Sequence, residues 1–496
     1  GFKIGVLSNN TTDLRPRMEK LGIDSLFDVI VVSGEVGHQK PHAEIFEVLF
    51  ERMGVAPSEV VFTDDSPRSL EKAESIGYAP ILFQNTDQYK EALADILATK
   101  KMSHNEEKFI EPWVNELGWR EADFAKVPTP AYVVSTEHLV ENLKLLGHVQ
   151  AETGVKILAA LKGFSMFSVF SIARKYLAGS EASSVNEARL GHEKFGKETH
   201  VFSPSYTHEN IKEYLKYADH LVFNSFSQWQ TFKDIALKKG ASCGMRVNLE
   251  HREAEVEMYD PSKPNSHFGV TRENFRPELL DGLEGLHFHN LCELDADALE
   301  RSLNVFVAKF GEFLSRMKWV NFGGGHHITR PGYNLDLLKK IILEFKAKYP
   351  HLAIYLEPGE AIALNAGVLV GSVVDILKNG MDIAVLDVSP TCHMPDVLEI
   401  PYQPRILGVK FAKDATENVY RLVGPTCLTG DVIGDYAFPK KLAIGDRVVF
   451  LNMAIYTMVK NNTFNGVDLP HIALLDKGKV KVIKKFGYKD FKERLS

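Results

Sequence analysis

Residues 156–165 read KILAALKGFS, an apolar run that stops at Lys162 and turns at once through a glycine. A short apolar run bounded by turn residues reads as a strand buried on both faces, the texture of a parallel, helix-covered sheet. Six more runs of this kind follow: HVFSP (200–204), HLVFN (220–224), GMRVNL (244–249), GLHFHN (285–290), WVNFGGG (319–325) and AIYLEPG (353–359). Most end in Gly, Asn, Ser or a charged residue, and helical stretches separate them. Repeated βα units of this spacing predict a (β/α)8 barrel, with functional groups at the C-terminal ends of the strands. Lys162 stands at such an end.

Toward the C-terminus the texture changes after Gly371. VLDVS, YRLVG, GDRVVFLN and VKVIKK are strands joined by turns, which predicts a β-domain. Toward the N-terminus, ATKKMSHNEEKF (98–109) is polar and has no apolar period, the mark of a linker. Met102 within it is a candidate relic start codon. Ahead of it, IGVLSNN, VIVVSGEVG, EVVFTDD and APILFQN alternate with helices, the first over Leu14–Leu21. That alternation predicts a second parallel, helix-covered sheet. The chain opens at Gly1 in what reads as a strand interior, so further residues are expected before it. The expected divisions are 1–97, a partial Rossmann-like α/β domain; 98–126, linker and lead-in; 127–370, the barrel; and 371–496, the β-domain.

With 45% hydrophobic and 25% charged residues, this 496-residue chain has the balance of a globular protein with real cores. Its formal net charge of −7, without a basic stripe, argues against nucleic acid as a partner. The four cysteines are far apart and form no C-x-x-C pair, which fits a reducing compartment. The most apolar stretch, Ala361–Leu377, is broken by Asn365, Ser372 and Asp375 and is short for a bilayer. A cytoplasmic enzyme without a membrane partner is the expectation.

Four strand ends carry candidate chemistry. A lysine leaving an apolar strand loses hydration, and burial favours the neutral, nucleophilic amine that forms imines. His287 and His289 share one face of a strand; they suit a metal pair extended by His326 and His327, a stacking imidazole, or a satisfied core histidine. Gly323, Gly324 and Gly325 let backbone N–H groups approach an anion such as a phosphate, or simply make a tight turn. Glu357, before a Pro-Gly turn, is a carboxylate placed to pair with a protonated ring nitrogen.

These motifs carry two resemblances. LSNN, Lys40 in GHQKPHAEIF, and FTDDSPRSLEKAESIGY resemble three motifs of the haloacid-dehalogenase-like hydrolases over about residues 1–97. By that likeness Ser8 and Lys40 hold a phosphoryl group, and Asp64 and Asp65 bind magnesium. The family's nucleophilic Asp has no counterpart before Ser8, so no phosphatase activity is expected of the sequence as given.

From Val127 onward, TPAYVVS, ILAALKGFS, GLHFHNLCE, NFGGGHHIT, LEPGEA, SPTCHMPDVLEIPYQP, GPTCLTGDVIGDY and MAIYTMVKNNTFNG resemble the alanine-racemase-fold pyridoxal-phosphate decarboxylases. Within that group they are most similar to the carboxynorspermidine/carboxyspermidine decarboxylase subfamily. The resemblance implies pyridoxal 5′-phosphate held as a Schiff base on Lys162, with His289 stacked on its ring and Glu357 at its ring nitrogen. Gly323–Gly325 and Tyr456 hold its phosphate, and Cys427, reaching in from the partner of a homodimer, protonates the product. The substrate's extra ammonium groups call for carboxylates, for which Glu293, Asp396, Asp431 and Asp435 are the candidates. Where ornithine and diaminopimelate decarboxylases have an EPGR arginine this chain has Glu360, and their HxGS turn reads His289-Asn290-Leu291-Cys292. The expected reaction releases norspermidine or spermidine. The alternatives are decarboxylation of diaminopimelate or ornithine, phosphatase chemistry from a complete N-terminal domain, a non-catalytic pyridoxal-phosphate carrier, and a metal-dependent barrel hydrolase.

Overall fold

A computed structural model describes residues 3–90, 92–93, 96, 114, 118–254, 256–415 and 417–496. The chain divides into two units, Gly1–Lys108 and Phe109–Ser496.

In the first unit, β1 (Gly5–Ser8) pairs in parallel with β2 (Val29–Val32), and β3 (Val61–Asp64) with β4 (Ala79–Leu82). The expected helix is found over Leu14–Leu21, closed by Gly22 in the left-handed conformation. Ala43–Met53 forms an amphipathic helix that buries Ile45, Phe46, Leu49, Phe50 and Met53. Phe46 stacks on Tyr78 at 4.8 Å and meets the edge of Phe62, which ties this helix to the ends of β3 and β4.

In the second unit the barrel closes from eight parallel strands: β6 (Lys156–Ala160), β7 (Gly179–Ala182), β8 (Glu198–Phe202), β9 (His220–Phe223), β10 (Ser242–Arg246), β11 (Gly285–His287), β12 (Trp319–Asn321) and β13 (Ala353–Leu356). Each pairs with its sequence neighbour, and β13 closes onto β6. Seven are the runs read from sequence. The eighth, β7, is GSEA, too short and polar to announce itself.

The barrel's N-terminal end is filled by the Trp319 indole, which donates from Nε1 to Ser242 Oγ at 2.9 Å. Any Cβ on Gly244 or Gly285 would lie 2.3 or 2.1 Å from that ring, so both strands need glycine there. Trp319→Ala would open a cavity costing ~3–5 kcal/mol.

The remaining strands form a nine-stranded sheet. Its order is β16 (Lys410–Phe411), β18 (Val432–Ala437), β17 (Val419–Val423), β15 (Met381–Leu386), β14 (Gly367–Asn379), β5 (Ala131–Ser135), β20 (His471–Asp476) and β21 (Lys479–Lys484), with β19 (Arg447–Phe450) also paired to β14. This departs from the expected divisions at two places. Strand β5 falls within the residues expected for the barrel, 127–370, but lies between β14 and β20 of this sheet. Strand β14 runs straight through the expected boundary at 370/371. Both follow from the pairing pattern: an apolar strand carries no local mark of which sheet will satisfy its backbone. Among the described residues no helix is long and apolar enough to cross a membrane.

Candidate active site

Lys162 lies two residues past β6, in a turn where Gly163 N–H donates to the Ala160 carbonyl at 3.0 Å. Its ammonium makes no hydrogen bond or ion pair among the described residues, yet its charge acts on Glu181, Glu357, His287, His289 and Cys292. A partly buried cation with carboxylates near but not touching remains available.

Glu357, just past β13, is 7% exposed and held from two neighbouring strand ends. Asn321 Nδ2 donates to its Oε1 at 2.6 Å, and His287 Nε2 lies 3.1 Å from its Oε2. Burial alone raises a carboxyl pKa, but the hydrogen bond from His287 and the Lys162 charge outweigh it and hold Glu357 ionised. His287 is kept neutral by burial, so it donates from Nε2. Glu181, on β7, was not singled out from sequence. It is 3% exposed, its Oε1 accepts from Ser183 Oγ at 3.2 Å, and its Oε2 is buried without a partner. Burial and then the Glu357 charge push its pKa up, so of these two carboxyls Glu181 is the one that keeps a proton.

The glycine triplet packs against the loop after β11. A Cβ on Gly323 would fall 2.4 Å from the Phe288 carbonyl, and one on Gly325 2.1 Å from the Leu291 carbonyl; both have positive φ. Gly323 N–H already donates to Asn321 Oδ1 (2.9 Å) and Gly324 N–H to His289 Nδ1 (2.8 Å). Of the three expected phosphate donors, only the Gly325 N–H has no partner among the described residues. The bond from Gly324 fixes His289 as an acceptor at Nδ1, and burial followed by the Lys162 charge keeps the ring neutral.

Tyr456 enters from the β-domain. Its N–H donates to the Gly163 carbonyl at 2.8 Å, and a Cβ on Gly359 would lie 3.4 Å from its hydroxyl. It adopts φ 39, costly for a non-glycine residue and sustained by this docking. Burial, then Glu360, keeps its phenol protonated, and the hydroxyl has no partner among the described residues.

Acidic groups gather beyond it. Glu293, His327 and Glu360 place one ligand atom each within 4.8 Å of one another, and His327 Nε2 meets Glu360 Oε2. The second such trio among the described residues, Glu198–His200–His220, lies toward the N-terminal ends of the barrel strands. Neither contains the His287–His289 pair, and His287 and His289 each have their own acceptor or donor. Among the described residues, the His287–His289 pair is thus not gathered with His326 and His327 into one ligand set.

Asp396 is bonded to Lys460 near this acidic group, and burial raises its carboxyl pKa. Asp431 and Asp435 are placed otherwise than expected. Asp431, 3% exposed, accepts from Ser389 Oγ, Thr391 N–H, and Thr426 N–H and Oγ1 at 2.7–3.2 Å. Asp435 is gripped by Arg421 through two bonds of 2.8 and 2.9 Å across β17 and β18. Their oxygens organise the β-domain itself. Cys427 is exposed, with its N–H donating to Asn465 Oδ1 at 2.8 Å.

In the first unit, Asn9 brackets the Lys40 backbone with two bonds, and Lys40 Nζ pairs with Asp64 Oδ2. Asp64 Oδ1 accepts from Ser66 N–H at 2.9 Å, and Asp65 is exposed. The three motifs come together, with Lys40 in contact with one of the expected metal ligands.

Comparison with known proteins agrees with this division. Residues 1–82 match the haloacid dehalogenase-like hydrolase family model. The carboxynorspermidine/carboxyspermidine decarboxylase of Campylobacter jejuni is 44% identical, covering 75% of this chain and 99% of its own length. The carboxyaminopropylagmatine decarboxylase of a Synechocystis species is 40% identical over 75% of this chain and 96% of its own. A crystal structure of carboxynorspermidine decarboxylase from Campylobacter jejuni, complexed with norspermidine, superposes with a TM-score of 0.69 at 42% identity over 74% of this chain and 100% of that one. With a relative this similar covered end to end, the chain belongs to the carboxynorspermidine/carboxyspermidine decarboxylase family, pyridoxal-phosphate-dependent carboxy-lyases built on this barrel and sheet.

Proposed function

We propose that this chain decarboxylates carboxynorspermidine or carboxyspermidine to norspermidine or spermidine, with pyridoxal 5′-phosphate bound at Lys162. The observation that carries the reading is the Lys162 amine, left without a partner near two buried carboxyls, Glu181 and Glu357. The residues around it fit the cofactor. Glu181 Oε2 is an orphaned buried oxygen, the Tyr456 hydroxyl and Gly325 N–H are unused donors, and the glycine cradle admits no side chain. When bound, the cofactor's pyridinium supplies an electron sink for the pair left on Cα as CO₂ departs.

The protein's part is positioning and charge. Glu357, held ionised from two strands, pairs with the ring nitrogen; neutral His289 covers the ring face; Tyr456 and Gly325 bind phosphate. Glu181, with its proton, faces the Lys162 amine as that amine exchanges with the substrate's. Glu293, Glu360 and Asp396 meet the substrate's ammonium groups. Cys427 is the proton donor to Cα and acts across a homodimer. In support, it lies on an exposed patch with Leu428 (45% exposed) and Phe464 (46%), apolar surface that a second copy would cover. The four free cysteines fit the cytoplasm.

Borohydride reduction and peptide mapping test the anchor: cofactor fixed on any lysine but Lys162 refutes it. For the substrate, kcat/KM with carboxynorspermidine or carboxyspermidine is expected to exceed that for ornithine or diaminopimelate by at least ~100-fold, about 2.7 kcal/mol. Carboxyaminopropylagmatine is the informative competitor, and a higher kcat/KM for it would move the substrate assignment to the guanidine-ended analogue. Mixing Lys162→Ala with Cys427→Ala protomers should restore part of the activity through one intact composite site. For the first unit, magnesium at Asp64 and Asp65 requires Lys40 to yield its place. Titration calorimetry with MgCl₂ that shows no heat would remove that reading.

A further inference from the structure

The Lys460 ammonium is bonded to both Asp396 and Glu399. These three residues sit on two one-turn helices of the β-domain, Asp396–Glu399 and Thr457–Lys460, the second starting directly after Tyr456. The Lys460 side chain is 31% exposed, so its end has a route to solvent.

Hydrogen bonds tie this cluster to Lys162 in one succession: Lys460 N–H donates to the Tyr456 carbonyl and Tyr456 N–H to the carbonyl of Gly163, next to Lys162, each at 2.8 Å. The charges of Lys162, Glu293 and Glu360 all act on Cys292. Glu360 and Glu399 both act on Asp396. Asp396 and Glu399 of the β-domain and Cys292 and Glu293 of the barrel all act electrostatically on the Tyr259 phenol, on the loop after β10. A carboxylated polyamine bound through its α-amine at Lys162 lays its further ammonium groups along this succession. The inner acids suit the nearer one. The outer pair, Asp396 and Glu399, already holds an ammonium that belongs to the protein.

We propose that Lys460 is a specificity-determining residue: its ammonium holds Asp396 and Glu399 until the distal ammonium of a polyamine displaces it toward solvent. While it is in place, the Lys460 ammonium occupies an oxygen of each carboxylate and cancels part of their charge, so a second ammonium binds there less favourably. Lys460 therefore competes with the substrate tail and weakens retention of the product. Diamines too short to reach the pair gain nothing by binding, since they cannot displace it. This inference rests on the polyamine reading above.

The test is calorimetric binding of norspermidine to the holoenzyme, at low and at moderate salt, for wild type, Lys460→Met and Lys460→Arg. Lys460→Met is expected to bind norspermidine at least fivefold tighter at low salt, with the gain shrinking as salt rises. Lys460→Arg should stay within about twofold of wild type, and 1,3-diaminopropane should show no gain. If Lys460 is merely a tie between two short helices, Lys460→Met will bind norspermidine equally or more weakly with an unchanged cofactor spectrum, and the proposal fails. Should Lys460→Met not fold, Glu399→Gln decides. It is expected to bind norspermidine severalfold more weakly, and unchanged affinity overturns the proposal. A wild-type holoenzyme that binds no norspermidine at all would instead overturn the substrate reading.

Discussion

Strand β6 is flanked by two lysines six positions apart, and they have opposite fates. Lys156 opens the strand at the barrel's N-terminal end, where Nζ donates to Glu198 Oε1 at 2.5 Å and to the Tyr355 hydroxyl at 3.1 Å. Glu198 also accepts from Tyr355 at 3.0 Å and lies 3.3 Å from His200 Nε2. Every charge there is answered within the chain. Lys162, at the other end, has buried acids around it but no bond to any of them. Glu181 Oε2 beside it is equally unanswered. Leaving such groups unpaired costs stability, and proteins keep that cost where a ligand will complete the set. The same residue types thus close one end of the barrel and hold the other open for chemistry.

The comparison breaks first at Lys162. Lys162→Ala should lower decarboxylation by about 10⁴-fold or more, as loss of a covalent catalytic group does. The cofactor's imine absorption band should vanish with it. Retention of both would mean that another amine carries the cofactor and that the contrast between the lysines has no chemical content.

Glu357→Gln comes next. The amide keeps the shape but not the charge opposite the ring nitrogen, and kcat should fall by about 10²–10³-fold, the scale of losing one aimed electrostatic partner. A matching rise in KM with kcat unchanged would assign Glu357 to substrate binding instead.

Acid should act on both ends alike. Burial lowers the pKa of His220 at the bottom to about 3, and of His326 at the top and His393 in the β-domain to about 4. In the unfolded chain each protonates near pH 6.5, while the folded state stays neutral. Stability is therefore complete above about pH 6.5 and erodes as pH falls toward the folded values, by up to about 1.4 kcal/mol per histidine per pH unit. The Tm of the second unit should drop steadily between pH 6.5 and 4.5. A flat profile would show that these rings are not held neutral.

The smallest effect is expected at Lys156. Its side chain is 42% exposed, so solvent screens the pair with Glu198 and Lys156→Met should cost only ~0.5–1 kcal/mol. Turnover should stay within about threefold of wild type. A large loss of activity from this variant would join the two ends of the barrel functionally.

What the sequence determined by itself is what local pattern can encode. Seven barrel strands were legible because strands buried on both faces must be apolar. Lys162, His289, the glycine triplet and Glu357 were legible because each ends such a strand. The helix over Leu14–Leu21 and the contact between Lys40 and Asp64 also followed from local motifs. Tertiary structure alone decided the rest. GSEA became a barrel strand because its neighbours on both sides offered unpaired backbone, and only that pairing buries Glu181 beside Lys162. Strand β5 joined the sheet rather than the barrel for the same reason. Asp431 and Asp435 look like Asp396 in sequence, yet Ser389, Thr391 and Thr426 claim the first and Arg421 the second, while Lys460 holds the third. A carboxylate's role depends on which donors reach it, and donors distant in sequence arrive only when the chain has folded.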